Sequence, residues 1–267
     1  MKTIVPKYIY EIITWDNIFL KLKSAHRIIL FLDYDGTLVP IMENPSLAIM
    51  SYQMEELLRD LNRTKSISIF LVTGRAYSDI KKLLYVKDIA IVSNHGFQIT
   101  WKDKNWLHPD IKHYLPSIEK IKLLLKKELN MFPSTIIEDK GITLTVHYRN
   151  VEKNLIPFIK KTVNNVVAKF ITEIHTTLGK KVIEVRPNIK WNKGEAVLRI
   201  LKSLRLKNDT TTVLYIGDDK TDEDAFKALQ QKAITIVVGR KRNSHANYYV
   251  RNTNEIQKLL ESIRSLT

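Results

Sequence analysis

The sequence predicts an α/β protein: a parallel sheet with helices on both faces, carrying an inserted α+β domain. Two observations lead there. Short apolar runs alternate with amphipathic segments at both ends of the chain, the rhythm of parallel strands joined by crossover helices. Between them the pattern shifts to longer helices and a strand of alternating apolar and polar residues, which suits a sheet with one wet face.

The elements follow in order. Residues 1–26 read as one or two amphipathic helices ahead of the first strand. Residues 28–32 (IILFL) are an unbroken apolar strand, and 51–62 place Met54, Leu57, Leu58 and Leu61 on one helical stripe. A strand at 67–72, a helix at 77–84, a strand at 89–93 and a hairpin at 97–106 come next. The insertion reads as a helix at 112–130, strands, a helix at 152–170 and further strands. Its strand 142–149 sets Ile142, Leu144, Val146 and Tyr148 against Thr143, Thr145, His147 and Arg149. The first pattern then resumes: helix 193–203, strand 212–216, helix 222–230, strand 233–238 and helix 253–264. The expected domains are therefore 1–106 with 188–267 as the core, and 107–187 as the insertion.

Composition removes several function classes. The 267 residues are 44% hydrophobic and 27% charged, and they include no cysteine. Disulfides and thiolate metal sites are thus excluded, and a cytoplasmic location is expected. No apolar run approaches the roughly 18 residues of a membrane span, and Pro6, Lys7, Glu11 and Asp16 interrupt any signal-peptide core. A net charge of +15 raises the question of nucleic acid. The charge is spread along the chain, with one compact basic cluster, GRKR at 239–242. Neither a nucleic-acid nor a membrane partner is expected, although a diffuse positive field would enrich a phosphorylated substrate.

The strand ends carry the chemistry. One strand runs into Asp33-Tyr34-Asp35-Gly36-Thr37, the next into Thr73-Gly74-Arg75, and a third into Gly217-Asp218-Asp219-Lys220-Thr221-Asp222, while Lys193-Gly194 opens a helix. In a parallel sheet these groups meet at the carboxyl edge, where ligands bind. Together they suit phosphoryl transfer through an aspartyl phosphate. A carboxylate attacks, Mg²⁺ offsets the like charges, lysine and backbone N–H groups hold phosphate oxygens, and a second carboxylate moves the proton. Residue by residue the plain readings are the default: Lys193 as a surface lysine, Thr221 as a helix N-cap, His147 as a packed or hydrogen-bonded strand histidine and His95 as part of a turn. It is the four stretches in this order, each at a strand or helix terminus, that outweigh them.

The stretches DYDGT, VTGR, NKGEA and GDDKTDEDAF resemble the four signature loops of the haloacid dehalogenase-like (HAD) phosphatases. With SNHGFQI, HYRN and VIEVRPNIKWNKGEA, the closer resemblance is to trehalose-6-phosphate phosphatases, over most of the chain. The resemblance implies a Rossmann-like core with a cap. It makes Asp33 the nucleophile and a Mg²⁺ ligand, and Asp35 the general acid/base, its carbonyl also on the metal. Thr73 and Lys193 would hold phosphate, with Asp218 and Asp222 completing the metal site. Arg75 and Asn94 would line the substrate cleft, and Glu138, Lys140, Arg149, Lys180 and Glu184 would read the sugar, with Lys181 competing with Lys180. A small sugar phosphate is the expected substrate, and a trehalose-phosphate synthase the expected separate pathway partner. Other readings are a phosphatase of sucrose 6-phosphate or mannosylglycerate phosphate, a phosphomutase, and a non-catalytic binding module using the basic surface.

Overall fold

In the computed structural model, residues 3–42, 44–179, 181–205 and 210–266 are described. The chain separates into two compact units, Met1–Trp106 with Trp191–Thr267, and Leu107–Lys190.

The first unit is the predicted α/β core. Its sheet is built around β2 (Arg27–Asp33), whose residues after Arg27 are all buried. On one side of β2 lie β3 (Ile67–Val72), β4 (Ala90–Ser93), β5 (Gln98–Trp101) and β6 (Lys104–Leu107). On the other lie β11 (Thr211–Gly217), β12 (Ile234–Val238), β13 (Tyr248–Val250) and, at the edge, β1 (Lys7–Tyr8). The run from β1 to β4 is parallel, and β5 returns antiparallel to β4.

Because successive strand residues point to opposite faces, each strand feeds two cores. Ile28, Leu30 and Leu32 join a cluster with α1 (Ile12–Lys23), α2 (Tyr52–Arg63), α3 (Tyr77–Leu83) and α8 (Thr253–Arg264). Ile29 and Phe31 join the opposite cluster with Phe70, Tyr215, α6 (Lys193–Ser203) and α7 (Asp222–Leu229). Asp33, two residues beyond Phe31, thus falls on the face where α6 and α7 begin. Ser51 caps α2 by accepting from Met54 N, and the stripe Met54, Leu57, Leu58, Leu61 is buried as its spacing predicts.

The second unit has its own core. An antiparallel sheet in the order β7 (Ile136–Asp139), β8 (Leu144–His147), β10 (Val182–Pro187), β9 (Ile174–Gly179) carries α4 (Ile111–Glu128) and α5 (Ile156–Ala168). Ile121, Leu125, Ile159 and Val163 of the helices pack on Leu144, Val146, Ile183 and Val185.

Three expectations need correction. Among the described residues of 1–26 one helix, α1, forms within the expectation, but strand β1 precedes it and pairs with β13 through Lys7↔Tyr248 and Tyr8↔Tyr249. Both strands are too short for a sequence period to register, and only their pairing defines them. The expected strand 142–149 is shorter, at Leu144–His147. Its polar face is also not wet throughout, since Thr143 and Thr145 are buried. Thr145 lies in register between Glu138 and Glu184, whose longer side chains flank it.

Candidate active site

Strand β2 ends in Asp33, and the chain turns at once. Leu38 N and Val39 N both donate to Tyr34 O, and Gly36 N donates to Val39 O. Gly36 has φ +85°, and a Cβ there would stand 2.3 Å from Asp218 Oδ2. Only glycine lets this turn pass beneath the Asp218 carboxylate. Buried Tyr34 pins the turn, its hydroxyl donating to Ala48 O at 2.8 Å.

Lys193 is no surface lysine. It opens α6, whose N-cap Asn192 accepts from Glu195 N, and it is 2% exposed. Its ammonium donates to Asp33 Oδ1 and Asp222 Oδ1, both at 2.8 Å. Asp222 is fully buried, and both its oxygens are engaged. Oδ1 also accepts from Tyr215 OH at 2.7 Å, and Oδ2 accepts from Asp218 N and Asp219 N at 3.0 and 3.1 Å. Gly217 is required here as well, since its Cβ would fall 2.2 Å from the Asp222 carboxyl carbon. Thr221 holds the N-cap position of α7 without capping by its side chain. Asp219 Oδ1 does that work, accepting from Thr221 N, Thr221 Oγ1 and Asp222 N.

Asp35 lies in the fork of Arg75. Arg75 Nε donates to Asp35 Oδ2 and an Nη to Asp35 Oδ1, each at 2.7 Å. Two further N–H groups reach Asp79 Oδ2 and Pro45 O, both at 2.8 Å. Burial works against the Arg75 charge, but Asp35 and Asp79 hold it protonated. The arginine expected to line the substrate cleft thus commits two of its donors to fixing Asp35. Thr73, buried at the end of β3, accepts from Arg75 N at 3.1 Å. Buried Asn94 follows β4 with its amide N on Arg75 O at 2.8 Å, and among the described residues its side-chain oxygen meets no donor. His95 N donates to Thr73 O at 3.0 Å, tying the two loops together.

The second unit holds a separate polar cluster. Glu138 on β7 and Glu184 on β10 both pair with Thr145, so they share a face. Lys140 Nζ lies 3.7 Å from Glu184 and 4.0 Å from Glu138. His147 Nε2 is 2.7 Å from Glu138 Oε2, so this histidine is hydrogen-bonded in its strand, as one of its plain readings had it, and joins the cluster. Arg149 is half-buried two residues beyond β8. Lys180 lies outside the described residues, and exposed Lys181 turns between β9 and β10 with φ +66°.

Charge at the core edge is unbalanced. Asp33, Asp218, Asp219 and Asp222 gather around one lysine, and burial pushes the Asp33 carboxyl well above the ordinary range, with Lys193 opposing. Burial and Asp222 raise Asp218 to about 7. Burial works to discharge Lys193, yet Asp222 and Asp33 keep it charged. Asp33, Asp218 and Asp222 each offer an oxygen within 4.8 Å of the others. A hard-oxygen donor set with surplus negative charge fits a divalent cation such as Mg²⁺. Asp222, with four donors already on its carboxylate, is better suited to support than to ligation. The sequence reading passed over Tyr215, Asp79 and the Pro45 carbonyl; only the Arg75/Asp79 spacing of four, where α3 begins, offered a signal.

A family model described as trehalose-phosphatase matches residues 31–254. The chain belongs to the trehalose-phosphatase family. This is a family of phosphoric monoester hydrolases. Trehalose-phosphate phosphatase B of Arabidopsis thaliana is 33% identical over 263 residues, covering 92% of this chain and 70% of that protein. Among solved structures, a trehalose-6-phosphate phosphatase related protein is 29% identical with TM-score 0.77, over 89% of this chain and 97% of that one. The C-terminal domain of C. albicans trehalose-6-phosphate phosphatase shares the fold at TM-score 0.83 and 22% identity, over the whole of both chains. The trehalose-phosphatase match begins at Phe31, leaving β1 and α1 outside it. Among the described residues no helix is long and apolar enough to cross a membrane.

Proposed function

We propose that this chain is a cytoplasmic, Mg²⁺-dependent phosphatase that hydrolyses trehalose 6-phosphate to trehalose and phosphate. The observation that carries the reading is the buried Lys193 ammonium bonded to both Asp33 and Asp222 at the carboxyl edge of the sheet, in a chain of this family. An Asp33 oxygen attacks phosphorus, the bond from phosphorus to the sugar oxygen breaks, and protonated Asp35 gives its proton to the leaving oxygen. Water then attacks the aspartyl phosphate, Asp35 takes the water's proton, and the bond from phosphorus to Asp33 breaks to release phosphate. Both Asp35 oxygens accept from Arg75, so Asp35 reaches the leaving oxygen only on release from that fork. Thr73 and Lys193 hold phosphoryl oxygens.

Mg²⁺ would be held by Asp33, Asp218 and the Asp35 carbonyl, with Asp222 behind them. When bound it supplies positive charge that offsets the phosphate and the carboxylates. The 107–187 insertion is the substrate-reading domain in this account, with Glu138, Lys140, Arg149 and Glu184 meeting sugar hydroxyls. The test is phosphate release from trehalose 6-phosphate with and without EDTA. Release that stops with EDTA and returns with Mg²⁺ is expected; release that persists in EDTA overturns the metal assignment, and none under any condition overturns the function.

A further inference from the structure

We propose that Tyr215 is a positioning residue for phosphoryl transfer, acting through Asp222 on Lys193; this rests on the roles assigned above to Asp33 and Lys193. Tyr215 sits in β11, where Val213, Tyr215 and Gly217 alternate toward the face that α6 and α7 cover. Its ring is completely buried, 6.3 Å from Phe31 in a stacked arrangement and 5.6 Å from Phe226 edge-on. Phenylalanine would fill that space equally well. Packing therefore accounts for the ring and leaves the hydroxyl to be explained, since a buried hydroxyl is costly unless it bonds.

The hydroxyl donates to Asp222 Oδ1 at 2.7 Å, the same oxygen that takes Lys193 Nζ at 2.8 Å. Lys193 in turn reaches Asp33 Oδ1 at 2.8 Å. The result is a chain of four side chains: Tyr215 to Asp222, Asp222 to Lys193, Lys193 to Asp33. A hydrogen bond from a neutral O–H to a carboxylate is strong and draws charge from the oxygen that competes with Asp33 for the ammonium. With the hydroxyl present, Lys193 is shared evenly between its two carboxylates. Without it, Asp222 pulls the ammonium toward itself and away from Asp33 and the phosphoryl oxygens. Burial, followed by the Asp222 charge, drives the phenol well above its ordinary range, so it remains a donor.

The experiment measures kcat and KM for p-nitrophenyl phosphate and trehalose 6-phosphate in the full chain with Mg²⁺. Tyr215→Phe is introduced into the wild type and into Asp222→Asn. In the wild type we expect kcat to fall about tenfold with KM within about twofold, and the melting temperature to stay within about 3 °C. In Asp222→Asn the same change should cost less than about twofold further, because the partner it acts through is gone. If Asp222→Asn is inactive or unfolded, orthovanadate binding decides: Tyr215→Phe should weaken it about as much as kcat. Unchanged kcat, equal losses in both backgrounds, or unchanged vanadate affinity overturns the role of Tyr215. A wild type active on p-nitrophenyl phosphate but not trehalose 6-phosphate overturns the substrate alone and leaves this test in force. A wild type silent on both overturns the phosphatase reading, and the Tyr215 role with it.

Discussion

Both units set a lysine between two carboxylates, and the two arrangements differ in tightness. In the core, Lys193 is 2.8 Å from Asp33 and from Asp222, with side chains 2%, 6% and 0% exposed. In the second unit, Lys140 stands 3.7 Å from Glu184 and 4.0 Å from Glu138, with Glu138 32% exposed. The first geometry is dry and closed. Charges there are strongly coupled, and removing one leaves its partners buried without compensation. The second is looser, and Glu138 is its more exposed carboxylate. Reaction chemistry suits the first, and recognition of a neutral, hydroxyl-rich sugar suits the second.

The largest expected effect tests the closed site. Asp33→Asn keeps the shape and removes the nucleophile, so phosphate release should fall about 10⁴-fold or more on every substrate. Circular dichroism should show the fold retained. Activity surviving at a tenth of the wild type would remove Asp33 as the nucleophile. A smaller effect tests the open cluster. Glu184→Gln should lower kcat/KM for trehalose 6-phosphate by about ten- to a hundredfold and leave p-nitrophenyl phosphate nearly unchanged. Equal losses on the two substrates would mean that the open cluster does not read sugar.

The smallest effect concerns stability of the second unit. Burial, with Arg186 beside it, holds the His175 pKa below its ordinary 6.5. Above that value both folded and unfolded chains carry a neutral imidazole, and the group makes no difference. As pH falls below 6.5 the unfolded chain takes up the proton first, so stability declines toward the folded pKa. Urea melts from pH 7.5 to 5 should show this decline, and His175→Gln should flatten it. An unchanged slope in the variant would assign the decline to other groups.

Much of the core was legible because its signals are local. Apolar runs ending in Asp-x-Asp-Gly and Gly-Asp-Asp place carboxylates at strand termini, and the glycines mark the close approaches to Asp218 and Asp222. What stayed hidden depends on contacts between distant residues. Arg75 meets Asp35 across 40 positions, and no period in the sequence links them. Lys193 was placed at the site by its motif, but its bonds to Asp33 and Asp222, 160 and 29 positions away, could not be read from it. Tyr215 reads as one more apolar strand residue because only its last atom is polar. In the second unit the alternation of 142–149 was visible, but the burial of Thr143 and Thr145 depends on neighbouring strands.

The central claim is that the closed site cleaves a phosphate ester while the second unit selects trehalose. Rates of Mg²⁺-dependent phosphate release from trehalose 6-phosphate, sucrose 6-phosphate, glucose 6-phosphate and mannosylglycerate phosphate test it most directly. The account predicts a preference for trehalose 6-phosphate of about 100-fold or more in kcat/KM. Comparable rates across the panel, or a preference for another member, would contradict it.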